Sequence, residues 1–293
     1  MNYKVFFQLI RWKNLVLGIA TLVLIKYYLT PSFIENSSFS FLNFVLFTVG
    51  IAFISAGGYI YNDIIDIKAD LINKPNKVYI GSFISENIAN KTSISFFTIG
   101  ITAGFIAAVN NNSAALTFYF LGLALCLVVY SKYLKSIPII GNLVVALLVS
   151  SSVFIISLFE KIEFNSIEFQ LINYYALFAF WINLIRELIK DIEDINGDFK
   201  LNFTTLPIII GVKRTRDLTL GISIILFIIL TLLIFRIKRF NEYLFYYSLI
   251  SLLPAMLYFI FKLYGAKTKR DYSNSSLILK LIMLIGILSI FTF

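Results

Sequence analysis

The chain has 293 residues, of which 59% are hydrophobic and only 14% are charged, and it carries a net charge of +9. Average soluble proteins are ~45–50% apolar and ~25% charged. The mean hydropathy of +0.87 therefore excludes a soluble globular enzyme, a disordered chain and a nucleic-acid-binding module. The sequence contains no histidine, which excludes His-ligated haem, His-based zinc sites and Ser-His-Asp triads. The single Cys126 excludes an internal disulfide.

Runs of about 20 apolar residues predict membrane-spanning helices, because a helix of that length crosses the hydrocarbon core of a bilayer. Such runs predict an all-α, multi-pass membrane protein with nine spans, in a single domain over residues 1–293. No polar stretch between them is long enough for a separate soluble domain. In chain order, the predicted spans are residues 15–30, 40–61, 92–109, 114–130, 138–158, 168–189, 218–236, 243–262 and 277–293.

The basic residues predict the orientation of these spans. With the N-terminus in the cytoplasm, most of the 25 Lys and Arg residues fall on the cytoplasmic side, as the positive-inside rule requires. The cluster of Arg236, Lys238 and Arg239 falls on the other side and goes against the rule. Lys26 and Lys280 lie near span ends, from which long side chains are expected to reach the interface. The expected location is the cell membrane.

Half of the 16 acidic residues fall in two short acidic windows. The windows read YNDIIDIKADLINKPNK and RELIKDIEDINGD, and both contain the spacing D-x-x-D-x-x-x-D directly after an apolar span. At 100° per residue, this spacing places three carboxylates within about 60° of one another on a helix. Because Asp198 follows Gly197, we expect it to lie past the end of its helix. The carboxylates are Asp63, Asp66 and Asp70 in the first window and Asp191, Asp194 and Asp198 in the second.

Like charges on one helical face repel each other unless a cation compensates them. Oxygen ligands without His or Cys favour Mg²⁺, which commonly completes its coordination with substrate phosphates. Two opposed windows would clamp a diphosphate, and a diphosphate at the face of an apolar bundle indicates an amphiphile, a polyprenyl diphosphate. Basic residues lie among these acids. They either neutralise the departing diphosphate or are the ordinary basic residues of a cytoplasmic loop. They are Lys68, Lys74, Lys77, Arg186 and Lys190.

The motif N-D-x-x-D-x-x-x-D at residues 62–70, followed by INKP, resembles the first motif of the UbiA superfamily of intramembrane prenyltransferases. The second window is similar to the second motif of that superfamily, and with the following TLPIIIG it most resembles the branch that acts on geranylgeranylglycerol phosphate. Arg11-Trp-Lys-Asn14 resembles the family's R-P-x-N, with Trp12 in place of Pro. The segment from Tyr130 to Lys135 resembles one that contributes a Tyr and a Lys, here five residues apart instead of four.

The resemblance implies a bundle of helices around a central cavity and an active site on the cytoplasmic side. It implies Mg²⁺ as the cofactor, with the transfer of a prenyl group, geranylgeranyl in the favoured version, from its diphosphate to the hydroxyl of a prenylglyceryl phosphate. The residues implied as catalytic are Asp63, Asp66, Asp191 and Asp194. The implied metal ligands are Asn62, Asp63, Asp66, Asp70, Asp191, Asp194 and Asp198. The implied substrate contacts are Arg11, Asn14, Lys68, Lys77, Tyr130, Lys135, Arg186 and Lys190.

Two other functions are compatible with the acidic windows. One is prenylation of an aromatic acceptor in quinone biosynthesis, which would differ only in the acceptor pocket. The other is cation transport, which is disfavoured because transporter carboxylates tend to lie near the membrane midplane, whereas these lie at one end of the spans. The expected partners are a polyprenyl diphosphate, a lipid-like acceptor and membrane lipids. No nucleic acid and no obligate protein partner are expected.

Overall fold

The computed structural model describes residues 3–33, 37 and 39–293, except the side chains of residues 114 and 115. Helices dominate this part of the chain, and it contains no β-strand, which confirms the predicted all-α class. The α-helices are α1 (Tyr3–Leu9), α2 (Trp12–Leu24), α3 (Phe41–Ile65), α4 (Ile67–Asn73), α5 (Glu86–Asn110), α6 (Ala114–Val129), α7 (Ile140–Phe159), α8 (Ile167–Lys200), α9 (Leu206–Ile210), α10 (Val212–Ile237), α11 (Glu242–Tyr247), α12 (Leu253–Tyr264) and α13 (Lys269–Leu288). Short π-helical turns extend three of them, at Ile25–Leu29, Tyr130–Leu134 and Ser248–Leu252.

Eight helical segments of the described chain are long and apolar enough to cross a membrane. Each of them overlaps one of the predicted spans, so the multi-pass architecture is confirmed and the predicted count of nine is close. The eight segments are Trp12–Ser32, Phe41–Ile65, Glu86–Asn110, Leu116–Leu134, Ile140–Phe159, Val212–Ile237, Glu242–Tyr264 and Lys269–Thr292.

The predicted span 168–189 lies in α8, which is not among these eight segments. Its apolar run is interrupted by Gln170, Asn173 and Asn183. The helix nevertheless packs between α7 and α13 within the bundle. Its 34 residues correspond to a length of about 51 Å, against a hydrocarbon core of ~30 Å. The last turns of α8, from Asp191 onward, therefore extend past the apolar part of the bundle and carry the second acidic window.

Glycine residues let α3 and α5 pack with their backbones in contact. A Cβ atom on Gly100 would lie 2.8 Å from the Ile54 nitrogen and 2.9 Å from the Gly50 oxygen. Across the same interface, the Ser93 hydroxyl donates a hydrogen bond of 2.9 Å to the Gly57 carbonyl. Small residues at such interfaces are typical of helix packing in membranes. This contact fixes α3, whose last turn begins the first acidic window.

The end of the bundle opposite the acidic windows contains a buried ion pair. Lys26, in the π-helical turn after α2, binds both Glu160 and Ser37, and only 4% of Lys26 and 5% of Glu160 are exposed. The prediction that Lys26 reaches the interface is therefore wrong. Its ammonium finds a compensating carboxylate inside the protein, so it has no need to extend into the headgroup region.

Candidate active site

The first acidic window is divided between two helices. Helix α3 ends at Ile65, Asp66 adopts φ −87° and ψ 0°, and α4 begins at Ile67. The chain still turns helically at this point, because the Asp66 N–H donates to the Asn62 carbonyl and the Asp70 N–H donates to the Asp66 carbonyl. The prediction of three carboxylates on one continuous helical face is therefore wrong for this window. Asp70 lies on α4, beyond the break.

The second window lies on one continuous helix. Helix α8 runs through Gly197 and Asp198 to Lys200, so the prediction that Asp198 lies past the helix end is wrong. The glycine makes room for a neighbour, since a Cβ atom on it would lie 2.3 Å from the Asn73 side-chain nitrogen. Gly197 is therefore a packing position on α8 and does not end the helix.

Asn73 joins the two windows. Its side-chain oxygen accepts a hydrogen bond of 2.8 Å from the Gly197 N–H, and its side-chain nitrogen donates one of 2.8 Å to the Asp194 carbonyl. The next residue, Lys74, forms an ion pair of 2.6 Å with the Asp194 carboxylate. Asn73 therefore fixes α4 against the second window. Sequence reasoning missed Asn73, although it lies in the INKP segment that follows the first motif.

Two basic residues hold the carboxylates of the first window. Arg11 forms an ion pair of 2.8 Å with Asp63, and its guanidinium lies 4.8 Å from the centre of the Tyr59 ring. Arg11 has φ 51° between α1 and α2, in the left-handed region. Lys135 forms an ion pair with Asp66, and the Asn62 amide donates to the same Asp66 oxygen at 2.6 Å. The structure thus brings the predicted Arg11, Asn62, Asp63, Asp66 and Lys135 together.

The π-helical turn Tyr130–Leu134 explains the unusual spacing of Tyr130 and Lys135. The Lys135 N–H donates to the Tyr130 carbonyl at 2.9 Å, an i to i+5 bond that accommodates one more residue in the turn. Lys135 thereby reaches Asp66. Tyr130 lies within electrostatic range of Asp66, Glu187 and Asp191. The extra residue therefore leaves Lys135 in contact with the first window.

The carboxylates of α8 have partners of their own. Asp191 accepts a hydrogen bond of 2.9 Å from Asn142, a buried residue on α7 that sequence reasoning also missed. Glu187, one turn deeper, forms ion pairs with Lys190 at 2.5 Å and Arg186 at 3.4 Å. The predicted substrate contacts Arg186 and Lys190 are thus held by a carboxylate of the same helix.

The remaining predicted residues lie further from this network. Asn14 accepts a hydrogen bond from Lys280 at 3.3 Å. Lys77 lines a small pocket together with Asp63 and Asp70. Lys68 is exposed on α4 and makes no ion pair within the described part of the chain. Lys68 therefore forms no ion pair with a described carboxylate of either window.

Burial makes negative charge costly at the carboxylates outside the spans. Burial raises the pKa of Asp70. It also raises the pKa of Asp191 to about 7 and the pKa of Asp198 to about 6. One oxygen of Asp66 and one of Asp194 are buried without a hydrogen-bond partner. Such atoms are rare in folded proteins, and an oxygen-seeking cation would satisfy both of them. Among the described residues, however, no three acidic side chains are already gathered as ligands of one ion.

The described helices and this polar end define the chain as an integral membrane protein with one cluster of paired carboxylates and basic residues. The profile of the UbiA prenyltransferase family matches residues 13–284. The chain is 31% identical to a digeranylgeranylglyceryl phosphate synthase of Sulfurisphaera tokodaii, over 94% of this chain and 91% of that protein. It is 32% identical to the enzyme of the same name from Saccharolobus solfataricus, over 78% of this chain and 77% of that protein.

Solved structures have the same fold. One, described as giving insights into digeranylgeranylglyceryl phosphate synthase in membranes, matches with a TM-score of 0.67 and 26% identity over 98% of this chain and 96% of that one. A UbiA homologue from Archaeoglobus fulgidus bound to GPP and Mg²⁺ matches with a TM-score of 0.67 and 17% identity over 98% of this chain and 99% of that one. The chain belongs to the UbiA prenyltransferase family, and it is a prenyltransferase, as the two acidic motifs predicted.

Proposed function

We propose that this prenyltransferase transfers a geranylgeranyl group from its diphosphate to the hydroxyl of a prenylglyceryl phosphate in a Mg²⁺-dependent reaction. The observation that carries the proposal is the pair of acidic windows, fastened together by Asn73, each with one buried carboxylate oxygen that lacks a partner. The relatives named digeranylgeranylglyceryl phosphate synthase support the choice of prenyl group and acceptor. The family match over residues 13–284 supports a single intramembrane domain.

The residues present fit a divalent cation. Asp66 and Asp194 each offer an unpartnered buried oxygen, and carboxylate and amide oxygens are the ligands that Mg²⁺ prefers. The homologue bound to Mg²⁺ has the same fold and supports this choice of ion. When bound, Mg²⁺ supplies charge neutralisation for a departing diphosphate. The proposed ligands are Asn62, Asp63, Asp66, Asp191 and Asp194, with Asp70 and Asp198 assisting.

Three basic residues are proposed to bind the diphosphate. Arg11, Lys74 and Lys135 each hold a carboxylate of the windows. When a cation neutralises those carboxylates, the same side chains become available for phosphate oxygens. The Arg11 guanidinium can donate bidentate hydrogen bonds to a phosphate group, whereas each lysine acts as a point charge on a flexible side chain.

Positive charge around the diphosphate favours its departure. The allylic C–O bond breaks with both electrons on the diphosphate, the acceptor hydroxyl forms the new C–O bond, and the hydroxyl proton passes to the released diphosphate. Arg11, Lys74 and Lys135 stabilise the negative charge that develops on the leaving group, which is an electrostatic role. The apolar spans provide a hydrocarbon environment for the prenyl tail.

We propose that the N-terminus and the site lie on the cytoplasmic side. The contact of Arg11 with Asp63 brings α1 and the start of α2 to the same end of the bundle as the acidic windows. The excess of basic residues in the loops at that end supports the cytoplasmic assignment.

A turnover assay on the purified chain in detergent tests the proposal. Labelled geranylgeranyl diphosphate is offered with geranylgeranylglyceryl phosphate or with 4-hydroxybenzoate, each with Mg²⁺ or with a chelator. We expect chelator-sensitive transfer to the glyceryl phosphate. Transfer to the aromatic acceptor alone would contradict the proposed acceptor, and transfer unaffected by the chelator would contradict the metal requirement.

A further inference from the structure

An apolar groove lies at the end of the bundle opposite the acidic windows. It runs between α8, α10, α11, the π-helical turn Ser248–Leu252 and α13, and it encloses about 650 Å³ of space, including its open side. Its wall includes Leu171 and Phe178 of α8 and Leu233 and Ile237 of α10. Phe178 and Glu187 are nine residues apart, which corresponds to about 180° around the helix. The groove therefore faces away from the active site.

Two hydroxyl groups in the wall of the groove are hydrogen-bonded within the protein. Tyr175 and Ser289 are hydrogen-bonded to each other at 2.8 Å, and the Ser289 hydroxyl also lies 2.6 Å from the Gly286 carbonyl. These two hydroxyls are thus engaged within the protein, and most of the remaining lining is apolar. An apolar lining of this kind suits a hydrocarbon chain.

A cluster of three basic residues lies at the mouth of this groove. Arg236, Lys238 and Arg239 are exposed, and none forms an ion pair within the described residues. Ile237, between two of them in the chain, lines the groove. The Lys238 ammonium lies 5.0 Å from the centre of the Phe245 ring, which also lines it. The one acidic residue nearby in the chain, Glu242, leaves the cluster positive.

We propose that this groove binds an anionic phospholipid of the membrane. One hydrocarbon chain lies in the groove, and the phosphate binds the basic cluster of Arg236, Lys238 and Arg239. Lys and Arg side chains near the bilayer surface attract anionic lipid headgroups. The cluster that goes against the positive-inside rule thereby has a function, which is to hold a lipid headgroup beside an apolar groove.

Lipid binding to the full chain in a neutral detergent tests this proposal. Binding of phosphatidylglycerol and of phosphatidylcholine with the same chains is measured by native mass spectrometry and by the shift in melting temperature. We expect preferential binding of phosphatidylglycerol, weakened about tenfold or more in the triple variant R236Q/K238Q/R239Q. The variant K161Q/K213Q/R214Q removes the same charge from exposed positions elsewhere and is expected to bind like the unmodified chain.

A second pair of variants tests the groove itself. L233W fills the groove and should weaken phosphatidylglycerol binding with the basic cluster intact. L232W places the same ring on the neighbouring, lipid-facing residue, which is 66% exposed, and should leave binding unchanged. Glycerol phosphate, which has no hydrocarbon chain, should not stabilise the protein.

Equal binding of the two lipids, or phosphatidylglycerol binding that survives the triple variant, would overturn the proposal. A strong effect of glycerol phosphate would make the cluster a simple phosphate site and would overturn it as well. Turnover separates this groove from the active site. The triple variant should keep its KM for the acceptor, and a raised acceptor KM would assign the cluster to the substrate instead.

Discussion

Asp66 and Asp194 are the residues on which the proposed chemistry depends most. Each holds a lysine with one oxygen and leaves the other buried and unpartnered. We expect D66N and D194N each to lower turnover by on the order of 100-fold or more, because both weaken a cation site whose charge acts on the leaving group.

The matched control for these variants is E193Q. Glu193 lies in the same window and makes no ion pair within the described chain. It should keep nearly full turnover, and melting curves should show all three variants folded. Unchanged turnover in either Asp variant would contradict the proposal that both windows form the site.

Asn73 positions the second window by two hydrogen bonds to α8. N73A removes both hydrogen bonds to α8, which together contribute about 1–3 kcal/mol, and it frees α4 to shift. We expect a lower melting temperature and a loss of turnover of about 10- to 100-fold, since small misplacements of catalytic groups are costly. N76A, at an exposed position in the same segment, should change neither. Equal turnover in both variants would show that Asn73 has no positioning role.

Carboxylates repeated at a helical spacing are recognisable in a sequence, because few functions other than cation binding place them directly after an apolar span. The amides Asn73 and Asn142 are not recognisable in this way. A single Asn in a polar segment has many uses, and these two gain theirs only when α4 and α7 come against α8. Lys26 escaped prediction for a similar reason, because its partner Glu160 lies far away in the chain.

At the scale of helices, the contact of α4 with α8 depends on Gly197. A Cβ atom there would lie 2.3 Å from the Asn73 side chain and 2.8 Å from the Ala69 carbonyl. Since the backbone oxygen cannot yield as a flexible side chain does, G197A should push the two helices apart. We expect a cost of ~1–3 kcal/mol and a marked loss of turnover.

The control for G197A is G221A. Gly221 lies in α10, and nothing lies within 4 Å of the Cβ atom it would gain. Alanine is the better helix former by about 0.5–1 kcal/mol, so G221A should melt at the same or a higher temperature with full turnover. If G197A behaves like G221A, the close contact between α4 and α8 is not needed.

Apolar runs predicted where the helices lie, but not how their ends are adjusted. The break at Asp66 and the π-helical turn Tyr130–Leu134 each involve a single residue. Neither has a strong local signal such as proline, because both depend on side-chain contacts made across the bundle. The apolar run 168–189 marked only the first part of α8 for a related reason. Its last turns are polar and are stabilised by contacts with α4 rather than by lipid.

At the scale of the whole molecule, one end of the bundle carries the proposed chemistry and the other contributes to stability. The acidic windows lie at one end, and the buried pair of Lys26 and Glu160 lies at the other. K26M leaves the buried carboxylate without its ammonium, which typically costs ~3–5 kcal/mol. We expect a markedly lower melting temperature, with kcat and KM close to those of the unmodified chain at temperatures where the variant is folded. Lost turnover in a folded K26M protein would mean that the two ends are coupled.

The central claim is that both windows form one cation-dependent diphosphate site, and equilibrium binding of geranylgeranyl diphosphate tests it most directly. Binding is measured with Mg²⁺ and with a chelator for the unmodified chain, D66N, D194N and D66N/D194N. We predict that binding requires Mg²⁺ and that each single variant loses nearly as much affinity as the double variant, because residues that act as one unit are not additive. Independent, additive losses, or full Mg²⁺-dependent binding in either single variant, would contradict the claim.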